Sequence, residues 1–160
     1  MGKLSHFDEE GRAWMVNVGD KPITQREAIA FGRVTMKPAT LRRIMDRKIE
    51  KGDTLGVARL AGIMAAKRTG DMIPLCHPLG IDSVHIDFSP DQSKSELNIK
   101  SRVMYTGRTG VEMEALTAVA IAALTIYDMC KAIDRGMIIG EIKLMKKSGG
   151  KSGTYLRQEG

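Results

Sequence analysis

Apolar and polar positions alternate in two stretches of the middle of the chain. Val84, Ile86 and Phe88 are separated by polar residues, and Leu97, Ile99 and Val103 follow the same two-residue beat. This pattern predicts two half-buried strands joined by the turn-rich segment SPDQSKS. Upstream, AIAFGRVTM after Glu27 reads as another strand, and AWMVNV at Ala13 to Val18 as a short one stopped by GDKP. Helical spacing takes over in between. Pro38 opens ATLRRIMDR, where its missing N–H costs little in a first helical turn. KGDT at 51–54 supplies a turn and a cap for LGVARLAGIMAAKRTG, whose apolar residues recur at helical spacing. The prolines of Pro74-Leu75-Cys76-His77-Pro78 exclude regular helix around Cys76 and His77. A long apolar helix is predicted from Glu112 to Asp134, a strand from Met137 to Met145, and a glycine-rich loop, SGGKSG, from Ser148 to Gly153 before TYLRQ. With the strand at 27–36, this order matches a split βαβ arrangement, an α+β fold with an antiparallel sheet backed by helices.

At 160 residues the chain is one ordinary domain long and able to bury a proper core. No linker or repeat divides it, so a single domain over 1–160 is expected, with loosely held ends near 1–12 and 148–160. Lys and Arg total 25 against 19 for Asp and Glu, a net +6 that favours an anionic partner without choosing one. Aromatic residues make up only 4%, which argues against a stacking platform for nucleic acid. Cys76 and Cys130 form neither a disulfide scaffold nor a metal knot, so a cytoplasmic setting is the simplest. The N-terminus has no signal-peptide run, and His6 stands where myristoylation requires Ser or Thr. Ala115 to Met129 reads as too short and too alanine-rich to span a bilayer, so no membrane partner is expected.

Several motifs fail on inspection. Gly150-Lys151-Ser152 spells the end of a phosphate loop, but Met145 occupies the position of its first glycine and only eight residues follow Ser152. A weaker anion-holding loop with Lys147 and Lys151 remains, beside the plainer reading of a basic surface loop. Gly107-Arg108-Thr109-Gly110 has the GxxG spacing of one RNA-binding module but lacks its surroundings, and no nucleic-acid partner is expected. His6, His77 and His85 show no ligand spacing, so no metal is expected.

Other residues keep their interest. Prolines fix the backbone at His77, whose imidazole suits proton transfer near neutral pH, whereas Cys76 reads as a small buried hydrophobe. Thr109 to Glu112 has the spacing of a capping box, and Glu114 shares the favourable first turn of the long helix. Asp128 interrupts the apolar run three residues before Lys131, which makes either a structural ion pair or a proton-transfer carboxylate beside a phosphate ligand. The helix is apolar on nearly every side, which implies burial by its own sheet and by another subunit.

DMIPLCHPL at 71–79, TGVEMEALTA at 109–118, ALTIYDMCKA at 123–132 and KSGGKSG at 147–153 resemble the cyclic pyranopterin monophosphate synthase family of molybdenum cofactor biosynthesis. MVNVGDKPITQREA at 15–28 and AGIMAAKRT at 61–69 extend the likeness over nearly the whole chain. The resemblance implies a cytoplasmic lyase of ferredoxin-like fold, assembled as a hexamer from a trimer of dimers and needing no organic cofactor. It implies a cyclised, GTP-derived substrate supplied by an upstream radical enzyme, and a product pair of cyclic pyranopterin monophosphate and diphosphate. By similarity, Leu75, Cys76, His77, Glu112, Met113 and Glu114 contact the substrate, with Lys67 and Lys147 beside its phosphates. Asp128, Lys51, Lys131 and His77 are the expected catalytic residues. The family usually carries aspartate where this chain has Asn17, so an acid–base duty there is not expected. A nucleotide-holding accessory protein is the competing reading; the acid–base cluster would have no purpose in it. GTP itself should not react, because two cysteines cannot host the radical chemistry that closes its new ring.

Overall fold

The computed structural model describes residues 5–158; the outermost parts of the two ends expected to be loose lie outside that range. Its elements run β1 (Thr24–Thr35), α1 (Pro38–Met45), α2 (Thr54–Lys67), α3 (Thr69–Met72), β2 (Ser83–Asp91), β3 (Glu96–Gly107), α4 (Glu112–Cys130), β4 (Ile138–Ser148) and β5 (Tyr155–Leu156). The strands form one sheet in the order β2-β3-β1-β4-β5, antiparallel throughout. The first four strands with their crossover helices give the ferredoxin-like α+β architecture.

Alternation along the central strands sets the core. Ala28, Ala30 and Val34 of β1 face inward beside Leu97, Ile99 and Val103 of β3, all fully buried. Ala115, Ala118, Val119, Ala122, Ala123 and Ile126 of α4 close over them. Small residues let these layers approach: a Cβ on Gly32 would come within 2.6 Å of the Val119 side chain, and one on Gly62 within 2.9 Å of the Ala118 carbonyl oxygen. The alanine surplus therefore serves close packing of α4 on β1 and α2. The buried Ser101 hydroxyl donates to the Ala115 carbonyl at 2.7 Å, satisfying an otherwise costly polar group. By length and composition alone the whole of α4 is apolar enough to cross a membrane, but half of its most apolar window is packed inside the protein as a core helix.

Local signals acted as predicted at several boundaries. Pro38 begins α1, and the Asp53 side chain caps α2 by accepting from the Gly56 amide at 3.0 Å. Elsewhere the structure departs. Ala13 to Val18 forms no strand; only Ala13 bridges to Phe7, because the Asp8 side chain accepts from the amides of Glu10 and Arg12 and folds the segment into a turn. Helix α4 ends at Cys130 rather than Asp134. Asp134 instead accepts from the Lys37 amide at 2.9 Å and the Thr40 hydroxyl at 3.1 Å. Burial opposes its charge, but these donors and the Gly136 amide hold its carboxyl below the usual range.

Candidate active site

The two ends of α4 carry separate constellations. At its N-terminal end, a cavity of about 370 Å³ is lined by Leu75, Cys76 and His77 from the proline-bounded loop and by Glu112, Met113 and Glu114 from the first helical turn. Six of the eight residues expected at the substrate therefore line one cavity, without Lys67 and Lys147. Ser5, His6, Val16, Val18 and Lys21 line it from the N-terminal segment.

Glu114 is buried, with 4% of its surface exposed. Burial pushes its carboxyl up to about 7; its own backbone amide opposes the rise and the neighbouring Glu112 carboxylate adds to it. Such a group can give or take a proton near neutrality. Burial also raises the Cys76 thiol, with Glu114 adding to the effect. Cys76 is half-buried rather than fully so, yet its raised pKa suits the small-hydrophobe reading better than that of a nucleophile.

The Glu114 shift makes a stability prediction. The unfolded chain releases this proton near 4.5 and the folded protein near 7. Stability from this group is complete below the lower value, falls as pH rises between the two, and levels off above 7. The fall should amount to about 3 kcal/mol. Denaturant unfolding across that range should show the slope in the parent protein and its loss in Glu114→Gln; an unchanged slope would assign the titration elsewhere.

The capping box does not form. Val111 occupies the cap position without a side-chain hydrogen bond, and the Thr109 hydroxyl is buried without a partner among the described residues. Glu112 instead lies over Gly110 and pairs with Lys147 at 3.5 Å. A lysine charge competes better for this carboxylate than the backbone amide would. Lys147 also contacts the Ser152 hydroxyl, tying β4 to the glycine-rich loop.

At the other end of α4, Asp128 bridges two lysines. Its Oδ1 lies 2.6 Å from Lys131 Nζ and its Oδ2 lies 3.3 Å from Lys51 Nζ. Lys51 also donates to the Asp128 carbonyl at 2.9 Å. Asp128 is exposed, so its interruption of the apolar run buries no charge, and the expected ion pair with Lys131 is present. Hydrogen bonds from Lys131 and then Lys51 hold its carboxyl below the usual range. Beside Lys51, a cavity of about 620 Å³ runs along Arg43, Lys48, Met129 and Ile133. Lys67, at the exposed C-terminal end of α2, lines neither of these cavities.

Fourteen residues separate Glu114 from Asp128. At about 1.5 Å per residue, one subunit holds them about 21 Å apart. A single chain thus gathers His77, Glu112 and Glu114 at one end of α4 and the Lys51–Asp128–Lys131 cluster at the other.

A model of the MoaC family matches residues 15–150. The chain belongs to this family. The cyclic pyranopterin monophosphate synthase of Heliobacterium modesticaldum is 60% identical over 159 residues, covering 99% of this chain and 100% of that relative. The synthase of the same name from a Thermoanaerobacter species is 62% identical over 155 residues, covering 97% and 98%. That of Pelotomaculum thermopropionicum is 57% identical over 158 residues, covering 99% and 93%.

Sequence reasoning missed several cavity-lining residues of this MoaC-family chain. Lys21, Arg26 and Arg108 join Lys147 and Lys151, the two lysines expected of an anion-holding loop, around a second cavity of about 370 Å³ that adjoins the first at Lys21, Thr109 and Gly110. Arg26 had a readable signal: it stands two residues before Ala28, on the inward side of β1. Starting that strand at Glu27 hid it. Asn17, the departure from the family pattern, accepts from the Gly19 amide at 2.9 Å, a turn contact that needs no charge.

Proposed function

We propose that the chain is a cyclic pyranopterin monophosphate synthase. It acts as a lyase converting (8S)-3',8-cyclo-7,8-dihydroguanosine 5'-triphosphate to cyclic pyranopterin monophosphate and diphosphate in molybdenum cofactor biosynthesis. The carrying observation is that relatives of that name are 57–62% identical along almost the full length of both chains.

The chemistry divides into two tasks. A ribose hydroxyl attacks the α-phosphorus, the bond from that phosphorus to the bridging oxygen breaks, and diphosphate leaves as the cyclic phosphate closes. Cations placed at the phosphates stabilise the charge that develops there, and Lys51, Lys131 and Lys147 take this role. Opening the purine-derived ring and closing the pterin needs positioned acids and bases. His77, Glu112 and Glu114 surround the cavity where this happens, while Leu75, Cys76 and Met113 shape it. Asp128 orients the Lys51 and Lys131 ammonium groups and is the first catalytic carboxylate. The apolar surface that α2 and α4 expose at Val57, Leu60, Met64 and Leu124 supports assembly with further copies, read here as a cytoplasmic homohexamer built as a trimer of dimers. An upstream radical enzyme supplies the substrate.

Incubation of the purified protein with the cyclised precursor should yield pyranopterin monophosphate and diphosphate by mass. Intact precursor would sink the lyase reading in favour of a passive nucleotide holder. His77→Gln should lower kcat much more than it raises KM, since glutamine hydrogen-bonds but does not titrate near neutrality. Equal loss in both would reduce His77 to a positioning role.

A further inference from the structure

We infer that Asp134 is a positioning residue for the lysine pair, a reading that rests on the lyase reaction above: from beyond the end of α4 it grips the start of α1 and so fixes Lys131 relative to Lys51. Its carboxylate is buried, with 2% of the residue exposed. Oδ2 accepts from the Lys37 amide at 2.9 Å and the Thr40 hydroxyl at 3.1 Å, and Oδ1 from the Gly136 amide at 3.1 Å. These partners are neutral, and no cation forms an ion pair with Asp134 among the described residues. A buried carboxylate without a counter-ion is costly, and a small neutral side chain caps a helix well enough. Helix α1 has no such cap of its own: Lys37 makes no side-chain bond at the cap position, and the first turn holds no acidic residue. A residue distant in sequence meets this helix start instead, so the contact couples two segments of the chain.

The two lysines sit on those segments. On one, the Lys131 amide donates to the Tyr127 carbonyl at 2.8 Å and the Asp134 amide to the Cys130 carbonyl at 3.1 Å. The Tyr127 hydroxyl donates to the Arg135 carbonyl at 3.0 Å, so Lys131 and Asp134 belong to one hydrogen-bonded turn. On the other, Leu41 and Ile44 are buried, the Lys48 amide donates to the Arg43 carbonyl at 2.8 Å, and the Gly52 amide to the Ile49 carbonyl at 2.9 Å. Gly52 has φ of +102°, a left-handed backbone that closes the turn bearing Lys51. Between the segments lies the cavity of about 620 Å³, with Ile49 and Lys51 on one side and Met129 and Ile133 on the other. Helices α1 and α4 have little direct contact, and both lysines are exposed. Packing across such a gap is a weak spacer, so the buried Asp134 contacts hold the two backbones in register and with them the ammonium groups.

Asp134→Asn keeps the volume but has a single acceptor oxygen, so at least one of the three donors loses its partner. Turnover of the cyclised precursor should fall by about tenfold or more, as expected when charge at a reacting centre is displaced. Isotope-labelled lysine gives a second readout that needs no substrate. The Lys51 and Lys131 side-chain NMR signals, identified through Lys51→Arg and Lys131→Arg, should shift in Asp134→Asn, while that of Lys94, between β2 and β3, stays in place. Ile99→Ala empties core space outside both segments and serves as the stability control. At a temperature where it is fully folded, its turnover and lysine signals should match the parent's. If Asp134→Asn fails to fold, Thr40→Val decides, since it removes one contact, keeps the carboxylate, and should shift the same two signals to a smaller extent. Unmoved Lys51 and Lys131 signals in the folded variant, or shifted signals with parent-like turnover, would overturn the positioning role. An equal loss of turnover in Ile99→Ala would also overturn it, by tracing the effect to stability. A parent protein inert toward the precursor would remove the lyase reading instead, and the lysine signals would then decide alone whether Asp134 holds the pair.

Discussion

Replacing Asp128 with alanine is expected to abolish turnover of the cyclised precursor while leaving the subunit folded and assembled. The carboxylate is solvent-exposed and sits between Lys131 Nζ and Lys51 Nζ, at 2.6 and 3.3 Å. Exposed ion pairs contribute little to stability, so its removal should barely move the melting temperature. Its effect on the lysines is larger. With alanine, Lys51 keeps only the backbone carbonyl contact and Lys131 loses its side-chain partner, so neither ammonium is held where phosphate charge develops. Lys51→Ala should follow the same course, since the lysine projects from an exposed turn and packs in no core. Product mass over time, thermal melting and sedimentation together check this. Near-normal turnover in Asp128→Ala would remove it from the catalytic residues. Insoluble protein would make the ion pair structural.

The fold was legible where a single periodicity governed a segment. Two-residue alternation located β2 and β3, and Pro38 and Asp53 marked two helix starts because proline and capping chemistry act locally. Ala13 to Val18 has strand-like composition, but a strand needs a neighbour, and the Asp8 turn leaves only one bridge. The end of α4 was obscured because Asp134 is recruited by α1, a contact between residues distant in sequence. The same limit governs the site. Leu75 to His77 and Glu112 to Glu114 could be singled out one motif at a time, but not seen to share a wall. Arg26 acquires meaning only once Gly150 lies on it and the carbonyls of 107 and 108 approach from another strand. The spacing of Thr109 and Glu112 suggested a cap because Lys147, the competing partner, belongs to β4. Long-range electrostatics had reassigned a locally reasonable pairing.

Mixing two individually inactive variants, Glu114→Gln and Asp128→Ala, should restore part of the activity once subunits exchange. In one subunit the two carboxyls lie about 21 Å apart along α4, with side-chain directions about 40° apart. That span is too long for both to grip one small reacting centre. Glu114 is buried beside His77, whereas Asp128 emerges into solvent with its two lysines. Each half of the chemistry therefore wants the other from outside its own chain. The exposed apolar residues Leu60 and Leu124 on neighbouring helices favour burial against another copy. In the proposed arrangement, Glu112 and Glu114 of one chain face Lys51, Asp128 and Lys131 of another. A mixed oligomer then contains some sites built wholly from unaltered halves, and these should turn over at the parent rate per intact site. Native mass spectrometry would report mixed assemblies, and a titration of mixing ratio should peak near equal amounts. Absence of recovery in mixed oligomers that still bind substrate would place both carboxyls in the service of the same chain. A fully active monomer would do so outright.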